Sequence, residues 1–478
     1  MYREYSKENL GNEKFFNFFK EISDIPRKSS NERKIADYLV DFAKYRGFKF
    51  YRDNLNNVII WKKASKGYEE KPILGIQNHT DMICEKDEGI KHDFAKDKLK
   101  LYIDGDFVKA KGTTLGADNG VGVAYALAIL DSDDIVSPEL ECIFTVQEET
   151  TMDGSRLLDV SKVKSKRIIS FDSFYDDIMV INSSSCKEWS SEKRINFAKI
   201  NQNEYSSYRL ILNNFKGGHS GLDIADTKRG NPIKIAFDLL SVFDEILLGY
   251  VKGGSRLSII PRDISLEFTI KNEEQYKINK IEEKIINLLK AYNDGEKIEI
   301  KKIRKSERLI EKKYSKDIIN FINEFENGAL AYDEENQVIL SANMGVVEII
   351  DDKFIFRYSS RSNERKIGNE MFDKINKLSK KYDIKPFEYD EMKPFEPKNN
   401  STLVKDASTI YFETFGKEIK KIKSQTCLEI GFLSEKIPEL EYIAVAPNIY
   451  NAHSPNEKFS ILSSKRMWKY IVNLLKKL

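Results

Sequence analysis

Between Asn31 and Arg46, apolar side chains fall at Ile35, Tyr38, Leu39 and Phe42 among charged residues, so the spacing predicts an amphipathic helix. Asn57–Trp61 then reads as a strand. Pro72 opens a short apolar run, Ile73–Ile76, that ends in Gln77-Asn78-His79-Thr80-Asp81. Asn119–Leu130 is small and apolar on most faces, which predicts a buried helix. Leu140–Val146 reads as a strand ending in Gln147-Glu148-Glu149, and Ile168–Phe171 as another ending in Asp172. Near the C-terminus Tyr442–Val445 runs through Pro447 towards His453.

Four apolar strands therefore run out into Asp, Glu or His. In open α/β sheets ligands bind beyond the carboxyl ends of the strands, so the pattern predicts acids and imidazoles along one sheet edge. Polar turns also end many strands, and one such ending alone would carry no weight. The middle of the chain has another texture. Tyr208–Asn213, Pro232–Leu248, Arg256–Ile270, Tyr276–Tyr292, Lys297–Ile303, Ala342–Ile349, Phe354–Ser359 and Asn363–Tyr382 mix strand-like and helix-like segments, with Lys and Glu on the outer helix faces. That predicts one or two α+β layers inserted into an α/β domain. The boundaries expected are 1–186 with 394–478 for the outer domain and 187–393 for the insert.

Composition narrows the class. The 478 residues are 41% hydrophobic and 32% charged, with a net charge of +2. Such a chain has enough apolar material for real cores, and its charge balance argues against nucleic acid or a membrane surface as partner. The first twenty residues lack an apolar leader segment. The longest apolar stretch, Val121–Leu130, falls far short of the ~20 residues of a membrane helix. Cys84, Cys142, Cys186 and Cys427 are widely spaced, which fits reduced thiols and a cytoplasmic location.

Histidine is scarce, and His79, His92, His219 and His453 are the whole supply. Alternation puts His79 and Asp81 on one face of an extended segment, where one side chain can bind a metal and the other orient it. Gly112–Gly120 (GTTLGADNG) places Asp118 in a glycine-rich turn before a helix; a turn with Asp118 or Asn119 as helix cap is the plain alternative. The neighbouring carboxylates Glu148 and Glu149 repel one another unless cations lie beside them. Together His79, Asp118, Glu149, Asp172 and His453 offer two imidazoles and three carboxylates. With Asp118 shared, that set can hold two divalent cations. Nitrogen and oxygen donors without thiolate favour zinc, and manganese or cobalt also fit. His92 lies in a charged loop and is left out of this set.

Several stretches carry a resemblance across nearly the full length. They are Asn78–Met82 (NHTDM), His92–Phe94, Gly112–Gly122 (GTTLGADNGVG), Val146–Gly154 (VQEETTMDG), Gly217–Asp223 (GGHSGLD), Ser341–Val347 (SANMGVV) and His453–Glu457 (HSPNE). On these the chain resembles the aminoacyl-histidine (Xaa-His, carnosine-hydrolysing) dipeptidases of the two-metal aminopeptidase-like peptidases. The resemblance implies a zinc-aminopeptidase-like catalytic domain, a mixed central sheet flanked by helices, with an inserted α+β lid that binds substrate and forms a homodimer. It implies that His79 and Asp172 bind one metal, Glu149 and His453 the other, and that Asp118 bridges them. Asp81 would steady His79. Glu148 would act as general base on a water between the metals, in hydrolysis of Xaa-His dipeptides. A cis peptide between Asp118 and Asn119 is implied as well. His219 would polarise the scissile carbonyl from the lid, with a plain tight turn over Gly217–Gly221 as the alternative, and Arg361 would hold the substrate carboxylate, with a surface salt bridge as the alternative. The expected partner is a small peptide. Related amide hydrolases, such as a tripeptide aminopeptidase or an N-acyl amino acid deacylase, share such metals, and a peptide-binding protein without catalysis is a further alternative.

Three departures from the family pattern fall outside the metal set. Ser258 stands where a substrate-binding Asn is usual, Gln425 replaces a histidine, and Ala446-Pro447-Asn448 replaces a GPN turn. They bear on the preference for C-terminal histidine rather than on the metals.

Overall fold

The computed structural model describes residues 2–292, 295–306, 308–398 and 400–478. The chain forms two compact units. One comprises Met1–Asn182, Glu396–Ile422 and Glu429–Leu478; the other comprises Ser183–Phe395 and Lys423–Leu428. These divisions fall after residues 182, 395, 422 and 428, whereas the sequence expectation placed them after 186 and 393. The short return of Lys423–Leu428 to the second unit was not foreseen, because nothing in six mostly polar residues marks a crossing.

The first unit is built on an eight-stranded mixed sheet. Its strands run in the order Lys49–Arg52, Val58–Lys62, Leu140–Thr145, Leu74–His79, Arg167–Ser170, Glu441–Ala444, Ile178–Val180 and Lys420–Ile422. The four central ones, Leu140–Thr145 through Glu441–Ala444, are mutually parallel. Parallel strands are covered on both faces, which is why these read as nearly unbroken apolar runs. Leu74–His79 and Leu140–Thr145 are buried at every position. Their carboxyl ends point the same way, so the residues that follow each strand gather at one edge.

The helix Ala117–Leu130 is buried along its whole length. Two glycines cost such a helix about 1 kcal/mol each, but burying Leu127, Ile129 and Leu130 returns about 1.5–3 kcal/mol apiece. It packs on Lys14–Ser23, an amphipathic helix whose Phe15, Phe16, Phe19 and Ile22 face the core. Its first turn is irregular: the Asp118–Asn119 peptide is cis, and both residues have non-helical backbone angles. Gly122 is needed one turn on, since a Cβ there would run into the side-chain amides of Asn119 and Asn78. The helix expected at 31–46 spans Arg33–Arg46 and ends on left-handed Gly47. Ile461–Lys477 closes the unit against Thr402–Phe415. A smaller five-stranded sheet runs Arg3–Glu4, Leu101–Asp104, Phe107–Ala110, Lys458–Ser460 and Ile449–Tyr450.

The second unit is α+β. One antiparallel sheet runs Lys297–Ile303, Tyr205–Asn213, Ile264–Lys271, Ile246–Gly254, Val338–Ile350, Lys353–Ser362, Ser185–Arg194 and Lys385–Met392, with Gly328–Tyr332 pairing to Val338–Ile350. Helices Pro232–Leu240, Tyr276–Tyr292, Lys312–Glu324 and Arg365–Lys381 bury their apolar stripes in this unit's core. The segment read as continuous over 232–248 breaks after Leu240 and resumes as the strand Ile246–Gly254. Among the described residues no helix is long and apolar enough to cross a membrane.

Candidate metal centre

The carboxyl ends of the four parallel strands carry the site. His79 is the last residue of Leu74–His79; Glu148 and Glu149 follow Leu140–Thr145; Asp172 follows Arg167–Ser170; His453 follows Glu441–Ala444 and, after it, the short strand Ile449–Tyr450. Asp118 comes from the irregular start of the buried helix. Gln147 and His453 hold left-handed φ values of 58° and 64°, unusual without glycine and often found at functional sites.

Asp118 lies between the two imidazoles. Its Oδ1 is 3.2 Å from His79 Nε2 and its Oδ2 is 3.2 Å from His453 Nε2. Glu149 Oε1 is 3.0 Å from His453 Nε2, and Glu148 Oε2 is 3.9 Å from His79 Nε2. Candidate donor atoms fall into three close groups, each within 4.8 Å: His79, Asp118 and Asp172; Asp118, Glu149 and His453; and His79, Glu148 and Glu149. Asp81 sits behind His79, its Oδ1 3.5 Å from Nδ1, and accepts the backbone N–H of Glu148 and of Glu149 at 3.1 Å. One buried carboxylate thus aligns an imidazole and the turn that carries both glutamates. Ser29 Oγ donates to it at 2.7 Å.

The electrostatics fit cations. Burial, together with Glu149, Asp172 and Glu429 nearby, holds the Glu148 carboxyl well above its usual range, against the opposing pull of His79. Burial and then Asp118 push Asp172 up to about 7. Glu149 is also raised, by burial first and Asp118 next, while its hydrogen bond with His453 pulls the other way. Burial works against a charged His453, yet Asp118 and Glu149 outweigh it and raise that imidazole to about 11. His79 is raised in the same way against burial, by Glu148, Asp118 and Asp81. Asp118 is lowered, its contacts with His453 and His79 outweighing its own burial. Protons on the imidazoles thus balance crowded carboxylates, a balance that two divalent cations can supply instead. His79, Asp172 and Asp118 could hold one, and His453, Glu149 and Asp118 the other.

Metal ligands must lose their protons to bind. The raised Asp172, Glu149, His79 and His453 must all be deprotonated, so binding should release protons at pH 7 and weaken as the pH falls. Calorimetry of zinc binding to metal-free protein, in two buffers of different ionisation heat, should give more than one proton released per chain. Zero release would show that the donors are already free of protons.

Other residues of this site were not singled out from the sequence. Glu457 accepts four backbone N–H groups at the entry to the buried helix: Leu115, Gly116 and Ala117 at 2.8 Å and Asp118 at 3.2 Å. Burial pushes its carboxyl up to about 7 even so. Arg27, also buried, donates to the carbonyls of Thr80, Asp81 and Gly116 at 3.1, 3.2 and 2.6 Å. Asn78 Oδ1 accepts from Asn119 Nδ2 and from the Phe171 N–H, both at 3.2 Å, and so ties three ligand-bearing segments together. Buried Glu429 accepts from Thr145 Oγ1 at 2.6 Å and from Gln77, and burial raises it to about 7. His92 lies outside the site, its ring edge-on to Phe94 at 4.5 Å.

The remaining sequence candidates belong to the second unit. His219 lies in the short strand Gly218–His219, paired with Ile259–Ile260. Its Nδ1 accepts the N–H groups of Gly221 at 3.1 Å and Leu222 at 3.0 Å, which assigns the proton of the neutral ring to Nε2. Arg361 is buried; its Nη1 donates to the Gln425 carbonyl and contacts Cys427 Sγ, both at 3.2 Å, and its Nη2 lies 3.5 Å from Ser220 Oγ. Ser258 is half-buried, and its carbonyl accepts the Ser220 N–H at 2.8 Å. Asn343 pins the backbone on either side of it, donating to the Leu257 and Ile259 carbonyls at 2.9 Å. Gln425, at the position of the missing histidine, is fully engaged: its amide donates to Val338 O and Asn363 Oδ1 and accepts from Ser341 Oγ.

Comparison with known proteins agrees with the sequence resemblance. The cytosol non-specific dipeptidase of Escherichia coli (strain K12) is 28% identical over 478 residues, covering 98% of each chain. The crystal structure of aminoacylhistidine dipeptidase from Vibrio alginolyticus superposes with a TM-score of 0.87 at 28% identity, again over 98% of both chains. A tripeptidase from Staphylococcus aureus shares the fold at 14% identity, with a TM-score of 0.55 and 98% coverage of each chain. Residues 75–477 match the peptidase family M20/M25/M40, which takes in every candidate metal ligand, and the chain belongs to that family.

Proposed function

We propose that the chain is a two-metal dipeptidase that hydrolyses dipeptides, Xaa-His peptides among them, in the cytoplasm. One observation carries this reading above the others: the two oxygens of Asp118 face two different imidazoles, each within its own donor group. Family membership supports the reaction class, and the E. coli and Vibrio relatives support the dipeptide substrate. Zinc is the proposed metal, on the nitrogen and oxygen donor set.

When bound, divalent cations lower the pKa of a water towards neutrality and polarise a carbonyl. The protein's part is proton transfer and positioning. Glu148 takes the proton of the attacking water as the new C–O bond forms and the carbonyl oxygen gains charge, and it then passes that proton to the amine nitrogen, so that the peptide C–N bond breaks and the amine leaves. Glu148 Oε2 lies 3.9 Å from His79 Nε2, in one donor group with His79 and Glu149, which places the carboxylate to carry that proton. Asp81 holds His79 and the Glu148–Glu149 turn in register. His219, with its proton on Nε2, is the proposed donor to the developing oxyanion, and Arg361 and Ser258 are the proposed contacts of the peptide's C-terminal end. The second unit then acts as a substrate-binding lid and as the surface of a homodimer.

A panel of dipeptides, tripeptides and N-acyl amino acids, tested on protein of measured zinc content, checks this reading. Dipeptides, including Xaa-His, should turn over with kcat/KM at least ~10-fold above the other classes, a difference of about 1.4 kcal/mol in transition-state stabilisation. A preference for tripeptides or acyl amino acids would replace it.

A further inference from the structure

The second unit holds a pair of thiols that the proposed hydrolysis does not use. Cys186 lies on the strand Ser185–Arg194 directly across from Arg361 on Lys353–Ser362. Cys427 lies in the short Lys423–Leu428 segment, which runs beside the start of the first of these strands. The Ser184 N–H donates to the Thr426 carbonyl at 2.9 Å, and the Leu428 N–H donates to Ser183 Oγ at 2.8 Å. Ser184 Oγ is 3.7 Å from Cys427 Sγ. Ser184 and Cys186, two apart on an extended chain, share a face, and Cys186 stands opposite Arg361, whose guanidinium reaches Cys427, so both thiols border one cation. Arg361 Nη1 completes the cluster, 3.2 Å from Cys427 Sγ. No disulfide joins the two cysteines.

We propose that Cys427 and Cys186 form a peroxide-sensitive dithiol, with Cys427 the attacking sulfur held beside the Arg361 guanidinium and Cys186 the resolving one. The Cys427 thiolate attacks hydrogen peroxide: an S–O bond forms, the O–O bond breaks and hydroxide leaves. Cys186 then attacks the sulfenic sulfur; an S–S bond forms, the S–O bond breaks, and the departing hydroxide takes the Cys186 proton as water. In sum, two thiols and one peroxide give one disulfide and two waters.

The remaining cysteines provide an internal comparison. Burial pushes Cys84 up to about 11 and Cys142 up to about 12. For Cys427 burial acts in the same direction, but the Cys186 hydrogen bond and Arg361 together outweigh it and bring the thiol down to about 7. Cys84 and Cys427 are both half-buried, so access does not separate them. The Arg361 guanidinium 3.2 Å from Cys427 Sγ favours its thiolate, and the thiolate is the nucleophile. Iodoacetamide should therefore alkylate Cys427 faster than Cys84 at pH 7.

The test uses the full-length, folded protein and needs no turnover, so it stands apart from the dipeptidase reading. Equimolar hydrogen peroxide should consume two thiols per chain and yield a Cys186–Cys427 linked peptide by mass spectrometry, reversible by dithiothreitol, with Cys84 and Cys142 left free. In Cys186→Ser the reaction should stop at a sulfenic acid on Cys427, trapped by dimedone. In Cys427→Ser, Cys186 should no longer react. Wild-type protein that gives no linked peptide, or that is alkylated at Cys84 as fast as at Cys427, would overturn the proposal.

Discussion

Glu148→Gln should lower kcat by about 10³–10⁴-fold, or about 4–5.5 kcal/mol of transition-state stabilisation, while zinc content stays at the wild-type value. The amide keeps the size of the side chain and cannot take up the proton. The pairing of the two measurements matters because Glu148 belongs to a donor group with His79 and Glu149. Were Glu148 chiefly a ligand, the substitution would lower zinc content along with turnover. A base loses turnover alone. Near wild-type kcat in this variant would remove Glu148 from the reaction altogether.

Asp118→Asn is expected to be the most damaging change to metal binding. Each of its oxygens lies 3.2 Å from a different imidazole, so one substitution weakens both donor groups. Loss of a residue that merely orients a ligand costs about 10–100-fold in affinity; loss of a shared ligand should exceed that at both positions, and turnover should fall to background. His79→Ala and His453→Ala should each reduce bound metal chiefly in their own group. Elemental analysis after dialysis against a weak chelator distinguishes these cases. Retention of two zinc ions by Asp118→Asn would show that the carboxylate is not shared.

The donors were legible in the sequence because a strand ending in His, Asp or Glu is conspicuous, and four of them recur. The sheet could be read for the same reason: buried parallel strands leave unbroken apolar runs such as Leu74–Ile76 and Ile168–Ile169. What holds the donors in place was not legible. Glu457 acts on backbone N–H groups, Arg27 on backbone carbonyls and Asn78 on an amide and an N–H. Such contacts require a fold to bring distant segments together and leave no spacing signature. An arginine at position 27, between Pro26 and Lys28, reads like a surface residue, yet it is almost fully buried. The strand Ser185–Arg194 leaves little apolar signal in the sequence because its buried positions include Ser185, Ser190 and Ser191 rather than branched apolar residues. The helix Lys312–Glu324, by contrast, carries a plain apolar stripe at Ile318, Ile319, Phe321 and Ile322 that periodicity alone could have found.

Crystals of the zinc-loaded protein, with anomalous differences recorded on both sides of the zinc edge, test the shared-carboxylate site most directly. Two peaks per chain are predicted, one against His79 and Asp172, the other against His453 and Glu149, with an oxygen of Asp118 bound to each. A single peak, or a pair that leaves Asp118 untouched, would contradict it.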